Sequence, residues 1–152
     1  MGKNLDTYNA FYEASWANPP ASVFEANEKY LSGDFQTLDM EGNVQMNREA
    51  YLGLSSLLYA SFPDFKSVIH DTQEDGDNVI VRSHFEGTFT GDLDLSAMGM
   101  GVIPANGKKI VWPEATTDWK FKGDKIARIQ AMDDNGGVGP FLAALGVTQP
   151  GA

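Results

Sequence analysis

The sequence predicts an α+β fold in which three N-terminal helices pack on a curved, mostly antiparallel sheet. In the first 62 residues, apolar side chains recur at helical spacing. From residue 65 to 132, β-branched and aromatic residues alternate with polar ones between turn signals. A run of helices followed by a run of strands is typical of α+β domains, in which helices cover one side of a sheet.

The first two helices lie before residue 33. Apolar residues at helical spacing over positions 4–16 predict the first helix, and Pro19-Pro20 breaks it. Ser22 is expected to cap the second helix, with Glu25 three residues later completing a capping box. Gly33 is expected to end this helix.

Asn47 is the expected cap of a third helix, REAYLGLSSLLYASF, which Pro63 ends. Phe35 to Met40 is predicted to be a short strand, and Gly139 to Leu145 a short helix. Four long antiparallel strands are predicted in the second half, in the segments FKSVIHDT, NVIVRSHFEGTFTG, KKIVWPEATTDWKF and KIARIQAM. The signals EDGD, ANGK and KGDK supply the turns between them.

A long loop, GDLDLSAMGMGVIPANG, joins two of these strands at positions 91–107. It mixes glycine with Met98, Met100, Val102 and Ile103, which would be costly to expose. A lid over an apolar pocket is one interpretation. The other is a loop packed against its own domain or against a dimer partner.

The length, charge and composition of the chain argue against several classes of protein. A chain of 152 residues is expected to form one domain with a core that needs no crosslinks. The formal charge of -10 repels phosphates, so no nucleic-acid partner is expected. No apolar run is long enough to span a membrane, and the N-terminus lacks the pattern of a signal peptide. The chain has no cysteine, and we expect a cytoplasmic protein.

The polar faces of the predicted strands hold the candidate chemical groups. Strand alternation puts Arg82 and His84 on one face together with Ile80. On the polar faces of the next two strands lie Ile110, Trp112, Glu114, Gln130, Met132 and Asp134. Such a mixture of apolar and ionisable side chains is typical of a cavity wall. A hydrated outer sheet face is the alternative.

The last strand ends on two adjacent carboxylates, Asp133 and Asp134, whose side chains are expected to point in opposite directions. Asp134 shares the face of Gln130. Desolvation on a cavity wall would raise the pKa of an aspartate toward a useful acid–base range. Arg82 or His84 nearby would polarise a carbonyl or hold an enolate charge.

Five segments in order carry a family resemblance. These are FPDF at 62–65, EDGDNVIVRSHFEGTFTGDL at 74–93, IPANGKKIVW at 103–112, GDKIARIQAMDD at 123–134 and FLAALGV at 141–147. Together they resemble the SnoaL-like polyketide (ester) cyclases, members of the superfamily named after nuclear transport factor 2. The resemblance covers residues 20–147, nearly the whole chain.

The resemblance implies a single SnoaL-like domain over residues 1–152, built as a cone-shaped α+β barrel around a deep pocket. It implies no metal and no organic cofactor. The general acid–base group of these cyclases is an aspartate at the end of the last long strand, which matches Asp134 here. Asp133 takes that place if the strand carries a bulge. The resemblance also implies a homodimer that forms through the outer sheet face.

The leading hypothesis is therefore a small cofactor-independent enzyme, a lyase or isomerase that cyclises or isomerises a hydrophobic carbonyl compound. Asp134 would move the proton, and Arg82 and His84 would orient the substrate or stabilise charge. The residues expected to shape the pocket are Tyr30, Phe35, Trp112, Glu114, Gln130 and Met132. The alternatives are a non-catalytic protein that binds a small molecule, and a dimeric scaffold whose pocket is filled by side chains such as Phe89 and Met100.

Overall fold

The computed structural model describes residues 3–96, 99 and 101–133 of the chain. It contains the three predicted helices, α1 (Lys3–Ser15), α2 (Ala21–Tyr30) and α3 (Arg48–Ser61). α3 begins as predicted, because the Asn47 side chain accepts a hydrogen bond from the Ala50 N–H at 2.9 Å.

The second helix differs from the prediction at both ends. Pro20 rather than Ser22 precedes α2, and no side chain caps it. The Ser22 hydroxyl instead donates to the Ser15 carbonyl, which ties α2 to the end of α1. At the other end the chain passes directly from Tyr30 into a strand at Leu31, two residues before Gly33. Leu31 is buried and pairs with Ile126, so sheet formation overrides the glycine signal.

Nine strands are described: β1 (Leu31–Leu38), β2 (Val44–Asn47), β3 (Lys66–Asp75), β4 (Asn78–Thr88), β5 (Leu93–Asp94), β6 (Val102–Ile103), β7 (Lys109–Val111), β8 (Ala115–Lys122) and β9 (Lys125–Ala131). The main sheet has the order β2-β1-β9-β8-β4-β3, and β7 also pairs with β4. β1 and β9 run parallel, and the other pairs are antiparallel. The sheet curls strongly into a half-barrel, so the predicted cone-shaped α+β architecture is confirmed.

The segment predicted to be one strand, KKIVWPEATTDWKF, forms two. β7 pairs with the end of β4, and β8 pairs with its first half. Trp112, Pro113 and Glu114 lie between them, where proline has no N–H to give to a ladder. The alternation of faces therefore does not continue from β7 into β8, and Trp112 is buried with 4% of its surface exposed.

The described part of the 91–107 loop packs against its own domain. β5 and β6 form a small two-stranded sheet, and Leu93 and Leu95 are fully buried in a cluster with Phe62 and Phe89. Gly91 lets the loop pass close to α3. Met98, Met100 and the predicted helix at 139–145 lie outside the described residues.

The core lies between the helices and the concave face of the sheet. Val79 and Val81 of β4 are buried against Tyr8 of α1, and Ile126 of β9 is buried against Phe11. No helix in the described ranges is long and apolar enough to cross a membrane.

Candidate functional site

A cavity of about 240 Å³ lies between the helices and the concave face of the sheet. Helices α1, α2 and α3 close one side, and strands β4, β8 and β9 close the other. The lining includes Tyr8, Tyr12, Ser15, Trp16, Asn27, Thr37, Gln45, Tyr51, Ser55, Tyr59, Ser67, Ser83, Phe85, Trp112, Pro113, Ala115, Thr117, Trp119, Ile129 and Ala131. Gln45, Phe85 and Pro113 are also exposed at the surface, so they lie at the rim.

The strand faces that line the cavity are opposite to those predicted. Ser83 and Phe85 of β4 point inward, as do Thr117 of β8 and Ile129 and Ala131 of β9. The more apolar face of each strand packs toward the helices, because burying ionisable groups there would cost their hydration. The predicted polar faces lie on the outside of the sheet.

Arg82 and His84 accordingly lie on the outer face, away from the cavity. The Arg82 Nε atom is 3.2 Å from a carboxylate oxygen of Glu114. His84 Nδ1 is 2.7 Å from His70 Nε2, and His84 Nε2 is 2.9 Å from Glu86. The hydrogen bond from His84, followed by that from Lys66, lowers the pKa of Glu86 to about 2. These side chains form an ion-pair network on the surface, and none of them lines the cavity.

One of the six residues predicted to shape the pocket, Trp112, lines the cavity. Phe35 is fully buried behind the wall, with its ring 5.0 Å from that of Tyr51. Tyr30 packs on Phe11 in the same apolar cluster. Glu114 pairs with Arg82 on the outer face.

The remaining two predicted pocket residues are on β9 or follow it, and they also lie away from the cavity. Gln130 donates to the Asp39 carbonyl at 3.2 Å. Met132 is 48% exposed. Both share the outward side of the β9 alternation, which the leading hypothesis assigned to the cavity and the alternative assigned to the hydrated face.

The end of β9 carries the carboxylates of interest. A carboxylate oxygen of Asp133 accepts a hydrogen bond from the Thr116 N–H at 2.9 Å. Thr116 follows Ala115, a lining residue, so Asp133 is anchored beside the cavity wall. Asp133 lies two residues beyond Ala131, which ends β9 and lines the cavity. Asp134 lies outside the described residues, and its predicted role stays a prediction.

Four tyrosines line the cavity, a group that the sequence reasoning missed. Burial, followed by the charges of Tyr12 and Tyr51, raises the pKa of Tyr8. Burial, followed by the charge of Tyr51, raises the pKa of Tyr59. Burial also raises the pKa of Tyr51 to about 12. The phenols are therefore neutral hydrogen-bonding groups at ordinary pH, and Tyr51 lies close enough to influence two of the others.

Several polar groups of the lining are already engaged. The Tyr12 hydroxyl donates to the Ser67 carbonyl at 2.9 Å, and the Ser15 hydroxyl donates to the Phe11 carbonyl at 2.7 Å. The Thr117 hydroxyl accepts from the Trp119 indole at 2.8 Å. These groups maintain the wall and leave little hydrogen-bonding capacity for a ligand.

Two other lining groups have no hydrogen-bond partner among the residues that the structure describes. The Tyr59 and Thr37 hydroxyl oxygens are buried and unpaired. The Asn27 side chain, on a residue only 2% exposed, is a further polar group of the lining. The sequence contains one signal for this site, because Asn27 is a polar residue at helical spacing from the apolar residues Val23 and Leu31.

Charged side chains are absent from the described lining of the cavity. Every Lys, Arg and His of the sequence belongs to the described residues, and so does every Asp and Glu except Asp134. Asp134 is therefore the one charged residue of the sequence that lies outside the described residues. In the described part of the chain, no three His, Asp or Glu side chains are grouped closely enough to hold a metal ion.

Comparison with known families matches this architecture. The family description SnoaL-like polyketide cyclase fits residues 6–139, which is most of the chain. The chain belongs to the SnoaL-like polyketide cyclase family. The resemblance inferred from the sequence is thereby confirmed. No curated protein sequence matches the chain.

Solved structures share the fold at low sequence identity. A candidate SnoaL-like polyketide cyclase from Jannaschia sp. CCS1 is 16% identical with a TM-score of 0.68, over 95% of this chain and 90% of that one. AclR, a candidate hydroxylase from Streptomyces galilaeus, is 18% identical with a TM-score of 0.68, over 96% of this chain and 86% of that one. A protein with a ketosteroid isomerase-like fold from Catenulispora acidiphila is 16% identical with a TM-score of 0.60, over 94% of each chain.

Proposed function

We propose that this member of the SnoaL-like family binds a small hydrophobic carbonyl compound in the cavity and carries out acid–base chemistry on it. The reaction class is an aldol-type cyclisation or an isomerisation, with the proton moved by an aspartate at the end of β9. The observation that carries the proposal is a largely apolar cavity with neutral hydrogen-bonding groups, in a chain of a cyclase family.

An acid–base role at the end of β9 has two supports. The Asp133 carboxylate is held by the Thr116 N–H next to Ala115 in the wall. Asp134, the neighbouring residue, is the position that the family resemblance matches to the acid–base group. A carboxylate beside an apolar cavity can remove a proton α to a carbonyl once the bound substrate excludes water. Arg82 and His84 have no part in this proposal, because they are on the far side of the sheet.

The test is exchange of the α-protons of 2-tetralone in D₂O, followed by NMR. We expect the wild-type protein to speed the exchange, and substitution of the acid–base aspartate to lower this effect about 100-fold, as is typical of general acid–base groups. Asp133→Asn and Asp134→Asn are compared, because they identify which carboxylate acts. Asp124→Asn, in the turn at the other end of β9, is the matched control and should keep the wild-type rate.

An NMR titration of the Asp134 carboxylate complements this experiment, with Asp134→Asn as the assignment control. A pKa well above the roughly 3.9 of a free aspartate supports a desolvated acid–base group. Exchange at the buffer rate in wild type and in both variants would count against catalysis on such ketones.

A second candidate function is non-catalytic binding of the same class of compound. The absence of any carboxylate, histidine or lysine from the described lining favours it. This function predicts that 2-tetralone binds without faster proton exchange. We also propose that the protein forms a homodimer, which sedimentation velocity would report as a doubled mass.

A further inference from the structure

Two unpaired polar groups in the cavity point to the kind of ligand that it takes. They are the Tyr59 hydroxyl of α3 and the Thr37 hydroxyl of β1. A buried polar group without a partner lowers stability, so native proteins rarely keep one without a reason. Two of them at one cavity, beside the Asn27 side chain of α2, indicate that a bound molecule supplies the missing hydrogen bonds.

Their chemistry favours an oxygen acceptor on the ligand. Tyrosine and threonine hydroxyls and the asparagine NH₂ can all donate, while the asparagine carbonyl can accept. A carbonyl oxygen takes one or two such donors, and a hydroxyl on the ligand would satisfy the asparagine carbonyl as well. Because the phenol of Tyr59 stays neutral, it donates to this oxygen without adding charge to the cavity.

The residues that line the cavity also restrict the charge of the ligand. None of the lysines, arginines and histidines, all of which lie in the described residues, lines the cavity. An anion entering it would lose its hydration without gaining a counter-charge, which is strongly unfavourable. The formal charge of -10 on the protein adds to this exclusion.

The volume of the cavity limits the size of the ligand. A cavity of 150 Å³ holds benzene, whereas drug-sized molecules occupy pockets of roughly 300–1,000 Å³. The 240 Å³ found here lies between these limits. It therefore has room for one or two rings. The rings of Trp16, Trp112 and Trp119 line it and would pack against them.

We propose that the cavity selects uncharged one- or two-ring compounds that carry a carbonyl oxygen, and that Tyr59, Thr37 and Asn27 recognise this oxygen. This inference rests on the proposed function and defines its substrate class more narrowly. It makes Tyr59 a specificity-determining residue, whether or not proton transfer follows.

The test is a binding titration with three probes of one size. 2-Tetralone has the carbonyl, tetralin lacks it, and 2-naphthoate carries a negative charge. All three tryptophans of the chain line the cavity, so tryptophan fluorescence, corrected for absorption by the probe, reports its occupancy. We expect 2-tetralone to bind more tightly than tetralin, and 2-naphthoate at least about tenfold more weakly than 2-tetralone.

The Tyr59→Phe variant removes only the hydroxyl. We expect it to weaken 2-tetralone binding about 3- to 10-fold, as loss of one neutral hydrogen bond does, and to leave tetralin binding unchanged. Tyr12→Phe is the matched control, because the Tyr12 hydroxyl already donates to Ser67 and should not contribute to selectivity. Thr37→Val, which keeps the shape of the side chain, provides a second independent variant.

Equal wild-type affinities for 2-tetralone and tetralin would overturn the inference, as would unchanged selectivity in both Tyr59→Phe and Thr37→Val. Failure of both neutral probes to bind would overturn the assigned size class. These outcomes are independent of the proton-exchange test on Asp133 and Asp134. Selective binding of 2-tetralone without faster proton exchange would refute the proposed chemistry and support the ligand class. Faster proton exchange without selective binding would support the chemistry and refute the ligand class.

Discussion

Removing the Tyr59 hydroxyl should make the unliganded protein more stable. The oxygen is buried and has no partner among the described residues, so the native state bears the cost of its lost hydration. That cost is about 1–3 kcal/mol for an unpaired buried group. Phenylalanine keeps the ring and its edge contacts with Phe24 and Phe65, whose centroids lie 5.7 and 5.8 Å away. We therefore expect Tyr59→Phe to raise the free energy of unfolding by about 1 kcal/mol.

The Tyr12→Phe variant is expected to change the free energy of unfolding in the opposite direction. It deletes a hydroxyl that donates to the Ser67 carbonyl at 2.9 Å, and loss of a made hydrogen bond costs about 1 kcal/mol. For a chain of this size, 1 kcal/mol shifts Tm by about 2–4 °C. Thermal unfolding followed by circular dichroism should therefore place Tyr59→Phe above the wild type and Tyr12→Phe below it.

A fall in Tm for Tyr59→Phe as large as that for Tyr12→Phe would refute this reasoning. It would mean that the Tyr59 hydroxyl is satisfied in solution, for example by a buried water. Addition of 2-tetralone should narrow the difference in Tm between the wild type and Tyr59→Phe, because the stabilisation by a ligand grows with the logarithm of its concentration over Kd and the wild type binds this ligand more tightly.

Two further predictions concern the framework. The pKa of Glu86 is lowered from 4.5 to about 2, first by the hydrogen bond from His84. The ionised Glu86 therefore contributes to stability above about pH 4.5, and this contribution is lost as the pH falls toward 2. Glu86→Gln should therefore flatten the decline in unfolding free energy over that range, measured by urea unfolding; an unchanged decline would contradict the cause assigned. Gly91→Ala should lower stability by about 1–3 kcal/mol, because its Cβ would lie 2.4 Å from the Ala60 carbonyl oxygen. Gly53→Ala, in open space on α3, is its control and should be neutral or stabilising by about 0.5–1 kcal/mol, and equal losses in both would exclude the clash.

The local signals in the sequence predicted the elements well where they agree with tertiary packing. The Asn47 cap and the glycine turns at Gly76 and Gly123, both with positive φ, appear where expected. The end of α2 could not be predicted, because Leu31 gains more by pairing with Ile126 in the core than Gly33 offers as a helix stop.

The sequence by itself determined the three helices, the long strands of the main sheet and the α+β class, but not β2, β5 and β6. These predictions follow from periodicity and turn residues, which are local, and the order of motifs along the chain indicated the family. The tertiary structure decided which face of each strand meets the cavity, and it moved Arg82, His84, Gln130 and Met132 outside. Alternation shows that two faces differ but does not say which one the helices cover. That choice depends on the summed burial of side chains from distant segments, and it also brought Tyr59, Thr37 and Asn27 together around one cavity.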